Sequence, residues 1–225
     1  PVMPEAIKNK DGTKKQDCEL NASKRFIANL RTAHPRQKFM LCGDGLMSNQ
    51  PLIEETLAGG MHYLFVAKPG NHKYLVEWLS AYDALPTTEL TDEKGNSHIY
   101  SWKNDVPLNG NKKTINVNWF EYQLKNSSGK ITKTHSWVTD IEITKANVIT
   151  MTKAGRCRWK IENECFNTLK NQGYHLEHNY GHGDKYLSYN MYLLTLLAFY
   201  FHQIFELTDG EYQACRLSFG SKSHL

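Results

Sequence analysis

Apolar residues recur every three or four positions over 21–33, where Ala22, Phe26, Ile27, Leu30 and Ala33 fall on one side of a helix. A short apolar run follows at 38–44 (KFMLCGD), bounded by a Gly-rich turn. It reads as a buried strand that ends at the carboxylate of Asp44. Residues 49–58 read as a helix stopped by Gly59 and Gly60, 62–67 as a second buried strand, and 72–82 as a further helix. This alternation of strand and helix is the mark of an α/β sheet. Asp44 therefore stands at a strand C-terminus, where open α/β sheets place their chemistry.

From about 97 to 143 the pattern changes to runs rich in Tyr, Trp, Val and Thr, at 98–102, 114–122 and 131–139. The turn 126–130 (NSSGK) joins the last two runs as a hairpin. Helical spacing returns over 146–171. A loop rich in Gly and His then leads to a long apolar helix over 185–207. The pattern predicts three parts: a first portion of an α/β core over 1–90, a β-rich insertion over 91–143, and C-terminal core helices over 144–225. The opening residues read like the tail of a strand, as expected of a fragment or processed piece.

Composition narrows the class without fixing it. The 225 residues are 40% hydrophobic and 22% charged, as in an ordinary globular protein, and the formal net charge is +4. That excess permits contact with phosphates but is no nucleic-acid signature by itself. Five cysteines (Cys18, Cys42, Cys157, Cys165 and Cys215) form no CxxC pair, which suits free thiols in a reducing, cytoplasmic compartment. The most apolar stretch, 189–205, is short for a membrane span and is interrupted by Asn190, His202 and Gln203.

The segment 158–170 (RWKIENECFNTLK) carries the sharpest chemical signal. On a helix Arg158 and Glu162 share a face, while Ile161, Cys165 and Leu169 make an apolar stripe that can seat the helix and hold Glu162 rigidly. Taken alone, the Arg158–Glu162 spacing is that of an ordinary surface ion pair. The string Arg-Trp-x-Ile-Glu, with the following Leu-Lys and 171–183 (NQGYHLEHNYGHG), resembles the C-terminal signature of DDE transposases of bacterial insertion sequences. Asp44 in 43–48 (GDGLMS) is similar to the second catalytic aspartate of that family, and the β-rich stretch to the insertion that this branch carries before its glutamate.

The resemblance implies an RNase H-like mixed α/β sheet flanked by helices, with an all-β insertion between the second aspartate and the glutamate. It implies Mg²⁺ or Mn²⁺ as cofactor, with Asp44 and Glu162 as catalytic, metal-binding acids. Such ions activate the attacking hydroxyl and stabilise the leaving oxygen in phosphodiester cleavage and strand transfer. The third acid is expected on an earlier strand, ahead of Pro1, so this chain alone is expected to be inactive. Asp17, the nearest substitute, precedes a helix and not a strand end.

DNA, as transposon ends and target, is the partner implied, together with a second copy or an intact transposase. Arg158 could bind a phosphate or orient Glu162. Lys170 stands eight residues after Glu162 where the family often has seven, which turns it about 100° around an α-helix. Position 155, often Tyr in the family, is Gly here. Lys68 and His72 are candidate phosphate contacts or solvated surface groups. Trp119 or Trp137 could stack on an unpaired base, or form the core of the insertion. Glu164 is the alternative to Glu162. His175, His178 and His182 lack the spacing of a structural zinc site and read as a polar loop. Rival readings are a catalytically dead remnant that binds DNA or dimerises, and a metal-dependent nuclease.

Overall fold

The middle of β2 (His62–Val66) is enclosed on both sides, with Tyr63 and Phe65 in one core and Leu64 in another. A strand buried on both faces reads as a continuous apolar run rather than an alternating one. In the computed structural model, which describes residues 3–7, 17–181, 183 and 185–219, this strand lies inside a six-stranded mixed sheet of order β1-β2-β6-β5-β4-β3. β1 (Met40–Gly43) runs parallel to β2, and every other neighbouring pair is antiparallel. The protein is a mixed α/β fold whose sheet is flanked by helices.

The chain divides into two units, Val2–Arg158 and Trp159–Leu225. In the first, α1 (Glu19–Ala33), α2 (Gln50–Ala58) and α3 (Lys73–Ser80) cover one face of the sheet. Ile27, Leu30, Leu52, Ile53, Leu75 and Leu79 pack there with Tyr63, Phe65 and Val138. α2 begins where the Asn49 side chain accepts the Leu52 N–H at 3.1 Å, and it ends at Gly59 and Gly60, the latter at φ +66°. The opposite face carries α4 (Val148–Lys160), whose Val148 and Met151 meet Leu64, Phe120 and Trp137. Burying a side chain of this size contributes about 1.5–3 kcal/mol relative to leaving it in water.

The β-rich stretch builds no separate sheet. β3 (Thr87–Thr91), β4 (Ser97–Pro107), β5 (Asn116–Lys125) and β6 (Ile131–Thr139) extend the sheet of β1 and β2, joined to it where β6 pairs with β2. Trp119 and Trp137 settle on opposite faces, 7% and 2% exposed, the first in the layer of α1 to α3 and the second in that of α4. Both belong to the core. Trp119 has no ring face to offer a base, which corrects its expected place among the DNA contacts.

Gly155 explains how α4 comes so close to the sheet. A Cβ there would lie 2.6 Å from Cε2 and Nε1 of Trp137, so a larger residue would push the helix outward.

The second unit is helical. After α4 comes a π-helical turn, Ile161–Phe166, then α5 (Asn167–Asn171), α6 (Leu187–Thr208) and α7 (Gly210–Ser218). Leu169, Leu196 and Phe199 form its small core, with Cys165, Tyr174, Leu176 and Tyr192 around them. Ile161, expected in the same stripe, is 46% exposed. α6 is apolar on a second side also: Leu194, Leu197, Phe201 and Ile204 lie exposed at three- and four-residue spacing. Among the described residues no helix is long and apolar enough to cross a membrane.

Candidate functional site

Asp44 follows the last residue of β1, and its position is dictated by the glycine ahead of it. A Cβ on Gly43 would come within 2.7 Å of Met47 Cβ and 2.8 Å of Phe65 Cδ1, so the chain turns tightly there against β2. The turn is closed by the aspartate itself. The Leu46 N–H donates to Asp44 Oδ1 at 2.9 Å, and the Met47 N–H donates to the Asp44 carbonyl at 3.1 Å. Such Asx turns fix a short carboxylate against its own backbone. The other carboxylate oxygen, Oδ2, takes no hydrogen bond from the described residues, and Asp44 as a whole is half-buried at the end of the parallel strand pair.

The loop after β2 lies beside this turn. The stem of Lys68 passes 3.2 Å from where a Gly45 Cβ would be, and Asn71 Nδ2 lies 3.5 Å from the Gly45 carbonyl oxygen. Lys68 is exposed, so its ammonium is free to swing near the Asp44 turn while its stem stays packed. The structure thus brings Asp44 and Lys68 into one neighbourhood.

His72 does not join them on the surface. It is buried at the start of α3, its Nε2 has no hydrogen-bond partner among the described residues, and burial pushes its pKa below the ordinary 6.5. An imidazole enclosed in this way presents no surface to a phosphate, which corrects that expectation. Asp17 is likewise committed: Arg25 clamps both its oxygens, at 3.1 and 2.8 Å, and ties the segment ahead of α1 to the helix.

Glu162 belongs to the second unit and stands on the π turn, where the Asn167 N–H donates to the Glu162 carbonyl, five residues back. Its side chain is exposed. Arg158, at the end of α4, is half-buried. Glu164 is paired with Lys160 at 3.9 Å, both of them well exposed, a geometry that contributes little. Lys170 Nζ is held at 2.6 Å by Glu177.

Glu164 also lines a cavity of about 570 Å³ with Gln172, Tyr174, Phe199, His202 and Glu206. Inside it the Tyr174 hydroxyl and His202 Nδ1 lie 2.5 Å apart. Burial, with Tyr212 and Glu206 adding to it, pushes the Tyr174 phenol above its ordinary value and keeps it a proton donor. No feature of the sequence singled out this Tyr–His pair, because residues 174 and 202 meet only through the packing of α5 and α6.

Among the described residues, no three His, Cys, Asp or Glu side chains gather as a group able to hold a metal ion. His175 and His178 are exposed in the loop after α5, where the His178 N–H donates to the His175 carbonyl and its ring lies against Tyr180. His182 lies outside the described residues. Asp44 and Glu162 are carried by different units, and each has its own local support. Neither a protein-family model nor a curated protein matches the chain.

Proposed function

We propose that the chain is the catalytic part of a DDE-type DNA transposase, with an RNase H-like sheet, working in the cytoplasm on transposon ends and target DNA. Asp44 and Glu162 supply two of the carboxylates for Mg²⁺ or Mn²⁺, and a third acid comes from outside the described residues. The observation that carries this reading is Asp44 itself. It stands at the C-terminal end of a strand in a parallel pair, one oxygen engaged in its own turn and the other without a hydrogen bond from the described residues. A carboxylate oxygen of that kind suits a hard divalent ion, which takes few protein ligands and keeps several waters.

When bound, the metal would supply Lewis-acid activation of the attacking hydroxyl and of the leaving oxygen. The chain's own residues do the rest. Asp44 is fixed by the Leu46 N–H, so its other oxygen is aimed without a side-chain search. Lys68 neutralises a phosphate beside that turn, and Arg158 and Lys170 do the same on the side of Glu162. Trp119, being in the core, takes no part. A second copy of the chain, or an intact transposase, would complete the assembly on paired ends.

The test is a Mn²⁺ titration by calorimetry of the chain and of its Asp44→Ala and Glu162→Ala variants, followed by cleavage of supercoiled DNA carrying transposon ends, using a chain extended upstream. Loss of at least about tenfold in affinity in both variants is expected, with cleavage that needs paired ends. Equal binding in all three proteins sinks the reading. Cleavage indifferent to paired ends makes the protein a nuclease instead.

A further inference from the structure

Among the described residues of the second unit, the turn Ile161–Phe166 is the one π-helical segment, closed by a bond five residues long from the Asn167 N–H to the Glu162 carbonyl. Turns of this kind are rare, occur singly inside α-helices and concentrate at functional sites. Their geometric effect is simple. A ring closed at five residues instead of four holds one residue more per turn, so everything beyond it is out of step by one residue.

The consequence for Glu162 follows by counting. In an unbroken α-helix Leu169, seven residues on, would lie about 20° from Glu162, and Lys170 about 80°. The acid would then point where Leu169 points, into the core of its unit. With one residue absorbed, Lys170 falls about 20° from Glu162 and Leu169 about 120° away. The burial agrees with the second count: Leu169 is 0% exposed, while Glu162 and Lys170 are both exposed.

We propose that this π turn is a rephasing element, which absorbs one residue so that Lys170 shares the open side of Glu162 while Leu169 seals the core behind them. On the reading of function given above, on which this role rests, Lys170 then holds a DNA phosphate alongside the acid. It is a positioning residue for the strand. In the DNA-free protein Glu177 occupies it at 2.6 Å, an exposed pair that a phosphate displaces at small cost.

Two length variants and one substitution test this in the 225-residue chain: deletion of Asn163, insertion of one alanine after Asn163, and Lys170→Gln. Melting is read without DNA or metal, and binding of a fluorescent DNA duplex is read by anisotropy across a salt series. Deletion of Asn163 leaves a plain α-helix with the same phase beyond it, so the melting temperature moves by less than about 2 °C, whereas the insertion lowers it by about 4 °C or more. Lys170→Gln lowers the slope of log affinity against log salt by about 1, and deletion of Asn163 leaves that slope unchanged.

The proposal is overturned if the deletion melts as low as the insertion, or if it costs the same unit of slope as Lys170→Gln. A chain that binds no DNA at all removes the phosphate role together with the reading of function. The melting comparison decides the rephasing on its own.

Discussion

The two proposed acids are supported in opposite ways. Asp44 is held by backbone: a glycine that admits no Cβ, an Asx turn, and a neighbouring strand with cores on both faces. Glu162 is held by helix phase, on a wide turn followed in sequence by the fully enclosed Leu169. A carboxylate fixed by backbone is placed as soon as the sheet forms. One fixed by helix phase depends on the number of residues in a turn, and its placement responds to a one-residue change.

The largest effects should separate the two cores. Phe120→Ala removes a fully buried ring between β4 and β6 and is expected to cost about 3–5 kcal/mol by urea unfolding, while Leu169→Ala, in a cluster of three buried residues, should sit near about 2 kcal/mol. Equal costs would erase the contrast. Next comes Gly155→Ala, which places a methyl 2.6 Å from the Trp137 ring and should cost about 1–3 kcal/mol, with a red shift in tryptophan emission as α4 lifts.

A smaller effect concerns pH. His72 has its pKa lowered by burial, so the unfolded chain binds the proton more tightly. The stability linked to it is present above the ordinary value of 6.5 and is lost as the pH falls below it. His72→Leu should therefore melt with less acid sensitivity than the parent between about pH 7 and about pH 5. An unchanged pH profile would mean that the imidazole reaches solvent. Smallest is Glu177→Gln, which releases Lys170 and should raise DNA affinity a few-fold at low salt, by about 0.3–1 kcal/mol.

Much of the sheet was legible in the sequence because burial leaves a mark on local pattern. The runs at β1 and β2, the hairpin at Asn126–Lys130 and the Gly-stopped α2 all followed from residue type and spacing. β3 escaped notice, since its residues Thr87–Thr91 are mostly exposed and carry no clear alternation. So did α7, whose exposed residues leave no apolar stripe. The joining of β6 to β2 was also hidden, because pairing between residues some seventy positions apart leaves no local trace.

At the candidate site, the strand end marked Asp44. The burial of Trp119 and of His72 could not be read, since aromatic and imidazole side chains look alike in sequence whether enclosed or exposed. The π turn was hidden for a different reason: counting at 3.6 residues per turn presupposes its absence.

The exposed side of α6 has a practical consequence. Leu194, Leu197, Phe201 and Ile204 form a strip on a helix whose single charged residue is Glu206, so little charge on the helix opposes the meeting of two such strips in solution. Salting-out ions such as sulfate strengthen apolar association. A preparation of this chain is therefore expected to self-associate through α6 as ammonium sulfate is raised, with the sheet still folded, since the same ions strengthen burial.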